Sequence, residues 1–258
     1  SYLLRLAAQH HLTPRVLVAS LLPQQPEWTE CGLTLPWGWD KNSGMHLIGI
    51  NDVAGRWARL LEALTGNPEV RFTTLNALKR HISGNELLCR HNRVCLACIR
   101  SDAERGQASY GRLLWRLADV KCCPIHRQPL VVPQCGSPQE RWLPPFMRCM
   151  VPGVCGTCGS IGYHCHAERA STLSNHDMAR ARQCRNLLSD LASIGPADPG
   201  EMKNALKTYV GRHGGACQLA GRAGILKSDM SRWFDKPGSR MSLPKMLDVA
   251  ASESFEVG

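Results

Sequence analysis

Cys95-Leu96-Ala97-Cys98 and Cys123-Pro124-Ile125-His126 are the two stretches that decide how this chain folds. Each is a pair of soft metal ligands three residues apart, a CxxC and a CxxH, with 24 residues between them. Zinc in structural sites is tetrahedral, takes thiolates and imidazoles, and receives them as two short-spaced pairs. The spacing lets one tight turn present two side chains to a single ion. Cys95, Cys98, Cys123 and His126 are therefore assigned to one Cys₃His zinc site. Cys122 is the rival of Cys123, but only Cys123 stands three before His126. A redox CxxC opens a helix after a strand in a βαβ pattern, and no such pattern surrounds Cys95. The alternative reading of the quartet is a set of buried free thiols.

Working outward, the chain has thirteen cysteines in 258 residues, and ten of them lie between Cys89 and Cys165. Thirteen is odd, and disulfide scaffolds are short and secreted. Clustered cysteines interleaved with histidines read as metal binding. A second zinc is expected around Cys155-Gly-Thr-Cys158-Gly, a knuckle with glycines where the backbone turns under the metal. Cys135, followed by Gly136, joins Cys155 and Cys158, while Cys149, His164, Cys165 and His166 compete for the fourth position. A degenerate ribbon without metal is the alternative there. Catalytic zinc keeps an open position and a nearby general base. The first site is thiolate-rich and full, and neither HExxH nor an HxE…PCxxC deaminase pattern occurs, so both zincs are read as structural.

The rest of the composition is ordinary for a globular protein, with 43% apolar and 20% charged residues. Disordered, collagen-like and coiled-coil chains are excluded. The longest apolar run, Val16 to Leu22, falls far short of the ~20 residues of a membrane span. No leader-like segment opens the sequence. The net charge is +10. Arg71 to Arg127 carries eleven basic and four acidic residues, and Gly211 to Met246 carries seven and two. Two basic modules favour nucleic acid or a ribonucleoprotein as partner.

Three segments follow: a helical N-terminal domain over 1–88, a zinc-ribbon-like α+β module over 89–168, and a helical C-terminal domain over 169–258. The fold class is mainly α around that metal-held middle. In the first segment, Val53, Trp57, Leu60, Leu61 and Leu64 form an amphipathic stripe. Asn51 or Asp52 caps that helix, and Gly66-Asn67-Pro68 stops it. Pro23 to Gly44 reads as a loop or a short turn-rich insert, Thr73 to about Ser83 as a helix, and Tyr110 to Leu117 as a helix between the two ligand pairs. Arg112, Trp115 and Arg116 mix aromatic and basic groups there; the Trp is read as core, with base stacking as the alternative.

In the last segment, Met178 to Leu191 and Glu201 to Val210 read as helices separated by the break Ile194 to Gly200. Leu219 to Trp233 then fits a helix-turn-helix: Ala220 is small where helices cross, Gly224 turns, and Ile225, Met230 and Trp233 face the core. The candidate nucleic-acid contacts are Lys227, Ser228, Ser231, Arg232, Arg222 and Arg240. A helical hairpin for protein contacts is the alternative. Ser242 onward reads as a further helix with Pro244 in its first turn.

The run from Arg93 to Asp102, then Tyr110-Gly-Arg-Leu-Leu-Trp115, then Val120-Lys-Cys-Cys123-Pro-Ile-His126-Arg-Gln-Pro-Leu130, resembles the TniQ/TnsD family. That family's pattern is a CPxCL knuckle, a tyrosine-to-tryptophan helix, a CPxHxxxL knuckle and a second cysteine knuckle. Ser1 to Ala7, Leu61 to Gly66 and Phe72 to Leu75 are similar to its N-terminal segments. The likeness covers about residues 1–165. Leu96 replaces the usual proline, and the knuckle at Cys135 lacks its first cysteine.

The resemblance implies a non-catalytic protein that selects the target in DNA transposition. Its implied partners are attachment-site DNA or a CRISPR effector carrying guide RNA on one side. On the other stands an AAA+ ATPase regulator of the TnsC/TniB type, which brings the transposase. The implied compartment is the bacterial cytoplasm. Consistently, no GxxxxGK[ST] loop occurs in the sequence. With about 90 residues after the zinc module, adaptor work on another complex is expected more than solitary reading of a long DNA site, although one helix-turn-helix can read DNA as a homodimer. The competing readings are a zinc-containing helix-turn-helix transcription regulator and a metal-dependent nucleic-acid enzyme.

Overall fold

The computed structural model describes residues 2–12, 16–33, 47–89, 91–132, 172–192, 199–212, 214–236 and 238–254, and these are mainly helical. No described helix is long and apolar enough to cross a membrane. Cys135, Cys149, Cys155, Cys158, His164, Cys165 and His166 lie outside the described residues, and with them the expected second zinc site.

The N-terminal part is built around a pair of tryptophans. Helix α1 (Tyr2–Gln9) is followed by a π-helical turn at Leu17–Leu21 and a short helix α2 (Pro26–Glu30). The long helix α3 (Asp52–Thr65) packs across them. Trp28 of α2 and Trp57 of α3 meet edge to face, with ring centroids 5.5 Å apart. Their cluster takes in Ala7, Leu17, Val18, Leu22, Leu33 and Leu60. Such burial contributes about 1.5–3 kcal/mol per large side chain. Asn51 caps α3 by accepting from the Ala54 N–H at 2.8 Å, and Gly66 ends it in the left-handed region at φ +64°.

Three expectations are corrected here. The Pro23–Gly44 stretch is not all loop: Pro26 sits at the first position of α2, where its fixed φ suits a helix, and Trp28 anchors that turn in the core. The segment from Thr73 to Ser83 is not one helix. It breaks into 3₁₀ turns at Pro68–Thr73 and Asn76–Leu78, then a two-residue strand β1 (Ile82–Ser83). Tyr110 to Leu117 has no regular structure through Arg112, which is extended, and holds only a 3₁₀ turn at Leu113–Arg116. In the last two cases apolar residues at helical spacing are buried by distant partners, which fix the backbone otherwise.

Beyond the metal-ligand segment, helix α4 (Leu96–Glu104), come α5 (Asn175–Ser189), α6 (Pro199–Arg212), α7 (Ala216–Arg222) and α8 (Lys227–Asp235). Strand β2 (Met241–Ser242) and helix α9 (Leu243–Ser254) close the described chain. The two strands pair in parallel, Ile82 with Met241 and Ser83 with Ser242.

The central core joins residues far apart in sequence: Leu75, Leu78, Ile82 and Leu87; Leu117, Val120 and Cys122; Ala181, Cys184 and Leu191; Leu243 and Leu247. Arg180 of α5 threads charge through it. Its Nε lies 2.9 Å from Asp119 and its Nη2 contacts Asp248 of α9, while the side chain is only 6% exposed. A second core holds α6 to α9 together through Val210, Leu219, Ala220, Met230, Trp233, Met241 and Val249.

Candidate metal centre

The four expected donors converge. Their ligand atoms all lie within 4.8 Å of one another, with Cys95, Cys98 and Cys123 buried and His126 half-buried. Cys98 Sγ is 3.6 Å from Cys123 Sγ and 3.2 Å from His126 Nδ1, which in turn is 3.6 Å from Cys95 Sγ and 3.7 Å from Cys123 Sγ. A tetrahedron with Zn–S near 2.3 Å and Zn–N near 2.0 Å has S···S edges of about 3.8 Å and S···N edges of about 3.5 Å. The cage fits such an ion. The sulfurs are too far apart for a disulfide, whose bond is about 2.05 Å, and all are free thiols.

Local folding explains the convergence. Cys95 caps α4, its sulfur accepting from the Cys98 N–H at 3.4 Å. The first turn of the helix thus presents Cys95 and Cys98 to one side and offers positive potential to a thiolate. The second pair sits on a tight knuckle. Arg127 N–H donates to the Cys123 carbonyl at 2.9 Å, Cys123 N–H donates to Gln128 O at 2.8 Å, and Arg127 takes φ 53° to close the turn. Reciprocal hydrogen bonds of 2.9 Å between Val94 and Val131 clamp the two pairs side by side. Trp115, 1% exposed, packs beneath them with Ile99 and Val94. The Trp is core, as read from the sequence.

The three sulfurs are linked to one another by hydrogen bonds. Hydrogen bonding with Cys95 and Cys98 pulls the Cys123 thiol strongly down. The same bond to Cys123 pushes Cys98 up, and hydrogen bonding with Cys123 also raises Cys95, to about 11. A dication held here would be bound by all three as thiolates, together with the His126 imidazole.

The rivalry between adjacent cysteines is resolved by direction. Cys123 faces the cage, whereas the Cys122 sulfur lies 3.3 Å from Met178 Sδ and 3.5 Å from the Asp177 carbonyl, against α5. Residues that alternate across an extended segment must part in this way.

One residue of the centre escaped the sequence reading. Arg112 donates through Nη1 to the Cys98 sulfur and through Nη2 to Asp102 Oδ1 at 3.2 Å, with its guanidinium 5.1 Å from the Trp115 ring centroid. Three thiolates around a dication would leave one negative charge, and Arg112 would face it. Burial disfavours the Arg112 charge, but Cys98, Tyr110 and Asp102 more than offset this and its pKa is raised. Arg105 also donates to Asp102 at 3.1 Å.

Other arginines of the basic central segment turn inward as well. Arg93 donates to Leu117 O at 2.6 Å and Arg116 to Cys89 O at 3.3 Å. Part of that segment's charge therefore serves its own backbone rather than a partner.

The candidate nucleic-acid residues divide. Lys227, Ser228, Ser231 and Arg232 are exposed on α8, and Arg222 is exposed at the end of α7. Arg232 is 3.7 Å from Asp229, and Ser231 donates to Asp235 at 2.7 Å. Lys245 holds Asp229 at 2.6 Å, which keeps that carboxyl below its ordinary range. Arg240 stands apart from α8 and donates to the Lys79 carbonyl.

A protein-family model, TniQ, matches residues 1–130, half of the chain, and the match contains all four metal-cage residues. No curated protein matches the chain.

Proposed function

The chain belongs to the TniQ family, and from a family whose members act in transposition we propose that it is a non-catalytic target-selection adaptor. It links a target-recognition complex to an AAA+ ATPase regulator of the TnsC/TniB type, and through that to the transposase. The target side is a CRISPR effector ribonucleoprotein or attachment-site DNA. The observation that carries the reading is the family match over 1–130, which encloses the Cys95, Cys98, Cys123 and His126 cage.

Zinc is the ion best suited to three thiolates and an imidazole. Its role is structural: it locks the start of α4 to the 123–127 knuckle. The second zinc, on Cys135, Cys155 and Cys158, belongs to the same proposal. The cage offers no open ligand position, which fits an adaptor rather than a metalloenzyme.

DNA contact is assigned to α7 and α8 as a helix-turn-helix. Three features support it: Gly224 at φ +65° between the helices, buried Ala220, Ile225, Met230 and Trp233, and the polar outward face of α8. Co-purification tests the whole reading. The full chain, tagged and expressed with the ATPase and effector proteins of its own element, should recover at least one of them. Recovery of none would sink it.

A further inference from the structure

Leu226 stands at the start of α8 with its side chain 70% exposed, and no other large apolar side chain among the described residues is as open. The backbone fixes its direction. Ile225 N–H donates to Ala220 O at 2.9 Å, and the Ile225 side chain is buried in the core of α6 to α9. Leu226 follows in extended backbone, φ −62° and ψ 134°, and faces away from that core. Its carbonyl accepts from the Asp229 N–H at 3.0 Å and the Met230 N–H at 3.2 Å. Leu226 is the N-cap of α8, and no side chain caps the helix. Serine, threonine, aspartate and asparagine are favoured there because their oxygens accept a helix N–H, and leucine is among the least suited. The residue thus does two things that folding alone disfavours. It opens an apolar side chain to water, and it leaves a helix end without a capping oxygen.

The neighbouring side chains point to what covers it. Arg222 at the end of α7 is exposed, as are Lys227, Ser228, Ser231 and Arg232 on α8. The acid of the first turn, Asp229, is held by Lys245, and Asp235 at the far end takes the Ser231 hydroxyl. A lone leucine among cations and hydroxyls suits a partner that is anionic and polar, with isolated apolar groups. Protein interfaces instead bury a contiguous apolar centre, in which leucine is seldom the anchor. The major groove of DNA has the required chemistry: the C5-methyl of thymine is an apolar group on an otherwise polar base edge, between two phosphate chains. When two helices dock on DNA in this way, residues at the start of the second helix meet the base edges.

We propose that Leu226 is a specificity-determining residue that recognises the C5-methyl of thymine in the major groove. The inference rests on the assignment of DNA contact to α7 and α8, and deepens it. Lys227 and Arg232 supply affinity for the phosphate chain without regard to sequence, whereas Leu226 supplies a preference for one base. Only an apolar side chain gains by covering a methyl. A capping oxygen at position 226 would strengthen the helix end and weaken the base preference.

The test selects a binding site from a random duplex library with the full chain. The best duplex is then remade with deoxyuridine for every thymidine, which removes each methyl and keeps each base pair. The wild-type chain should bind the thymine duplex about fourfold more tightly for each methyl that it covers. Leu226→Ser should bind the two duplexes alike, with a melting temperature at or above that of the wild type, since serine can cap α8. Leu226→Met keeps an apolar side chain and should keep the preference. Equal binding of both duplexes by the wild type, or a preference that survives in Leu226→Ser, overturns the inference and leaves DNA contact by α8 standing. A library from which no site is enriched overturns the DNA reading itself, and the inference with it. Equal binding together with a concentration-dependent dimer that dissociates in Leu226→Ser assigns the leucine to a second copy of the chain instead.

Discussion

The guanidinium of Arg112 rests on the sulfur of Cys98, 14 residues away in sequence, and ties it to the buried carboxylate of Asp102. A partner of this kind orients a metal ligand and stabilises its thiolate, and its loss costs about 10–100-fold in metal affinity. Arg112→Ala should weaken zinc binding by that factor in a chelator competition. Arg112→Lys keeps the charge but loses the fork that holds Cys98 and Asp102 together, and should fall between. Wild-type affinity in Arg112→Ala would assign the residue to packing on Trp115 alone.

Adjacent cysteines make a controlled pair for metal content. Cys123→Ser should remove one zinc per chain, measured by mass spectrometry under native conditions or by elemental analysis. Cys122→Ser should leave the metal count unchanged and lower stability by about 1–3 kcal/mol, because a hydroxyl then replaces a thiol in an apolar core. Chelation of the wild-type chain should raise hydrogen exchange first over residues 94–131, where Val94 and Val131 hold the two ligand pairs together.

Arg180 bridges Asp119 and Asp248 from inside the central core. Removing the buried partner of a charge network leaves the others unpaired, and with Asp119 25% and Asp248 35% exposed the cost is about 1–3 kcal/mol. Arg180→Ala should lower stability by that amount in urea unfolding. The triple change to Arg180→Met, Asp119→Leu, Asp248→Leu should recover much of the loss. A single variant as stable as the wild type would contradict the reading.

Acid should loosen the start of α5. Ser174 Oγ donates to Asp177 at 2.7 Å and accepts from the Asp177 N–H at 3.1 Å, closing a capping box. The Ser174 hydroxyl and N–H hold the Asp177 carboxyl below its ordinary value of 3.8. A lowered folded value means that the stabilisation is fully present above about pH 4. It is lost as the pH falls from there through the folded value. Ser174→Ala should cost about 1 kcal/mol near neutrality and flatten this acid dependence in a pH series of melting curves.

On the proposed DNA face, Lys227→Ala and Arg232→Ala should each reduce the slope of log affinity against log salt by about one. Unaltered slopes in both would remove α8 from the interface.

The convergence of the four donors Cys95, Cys98, Cys123 and His126 was legible because short ligand spacings constrain geometry almost independently of the rest of the fold. Asn51 and Gly66 at the ends of α3, and the inward set Ala220, Ile225, Met230 and Trp233, were legible for a similar reason: caps, turns and amphipathic spacing are local. What escaped depended on distant partners. Ile82 sits in a strand because Met241 lies beside it, and nothing within ten residues of Ile82 announces that. Arg112 carries the same side chain whether it stacks on a base or neutralises a thiolate. Only the folded position of Cys98 decides between them.

The pairing of Ile82 with Met241 has a practical corollary for dissecting this molecule. The family match stops at residue 130, which invites a cut there. Yet the apolar cluster around Ile82 is completed by Ala181, Cys184, Leu191, Leu243 and Leu247, all of them beyond that point. A fragment ending at 130 would carry half a core with its inner surface bared to water. It should be sticky and poorly soluble even if its metal cage were intact.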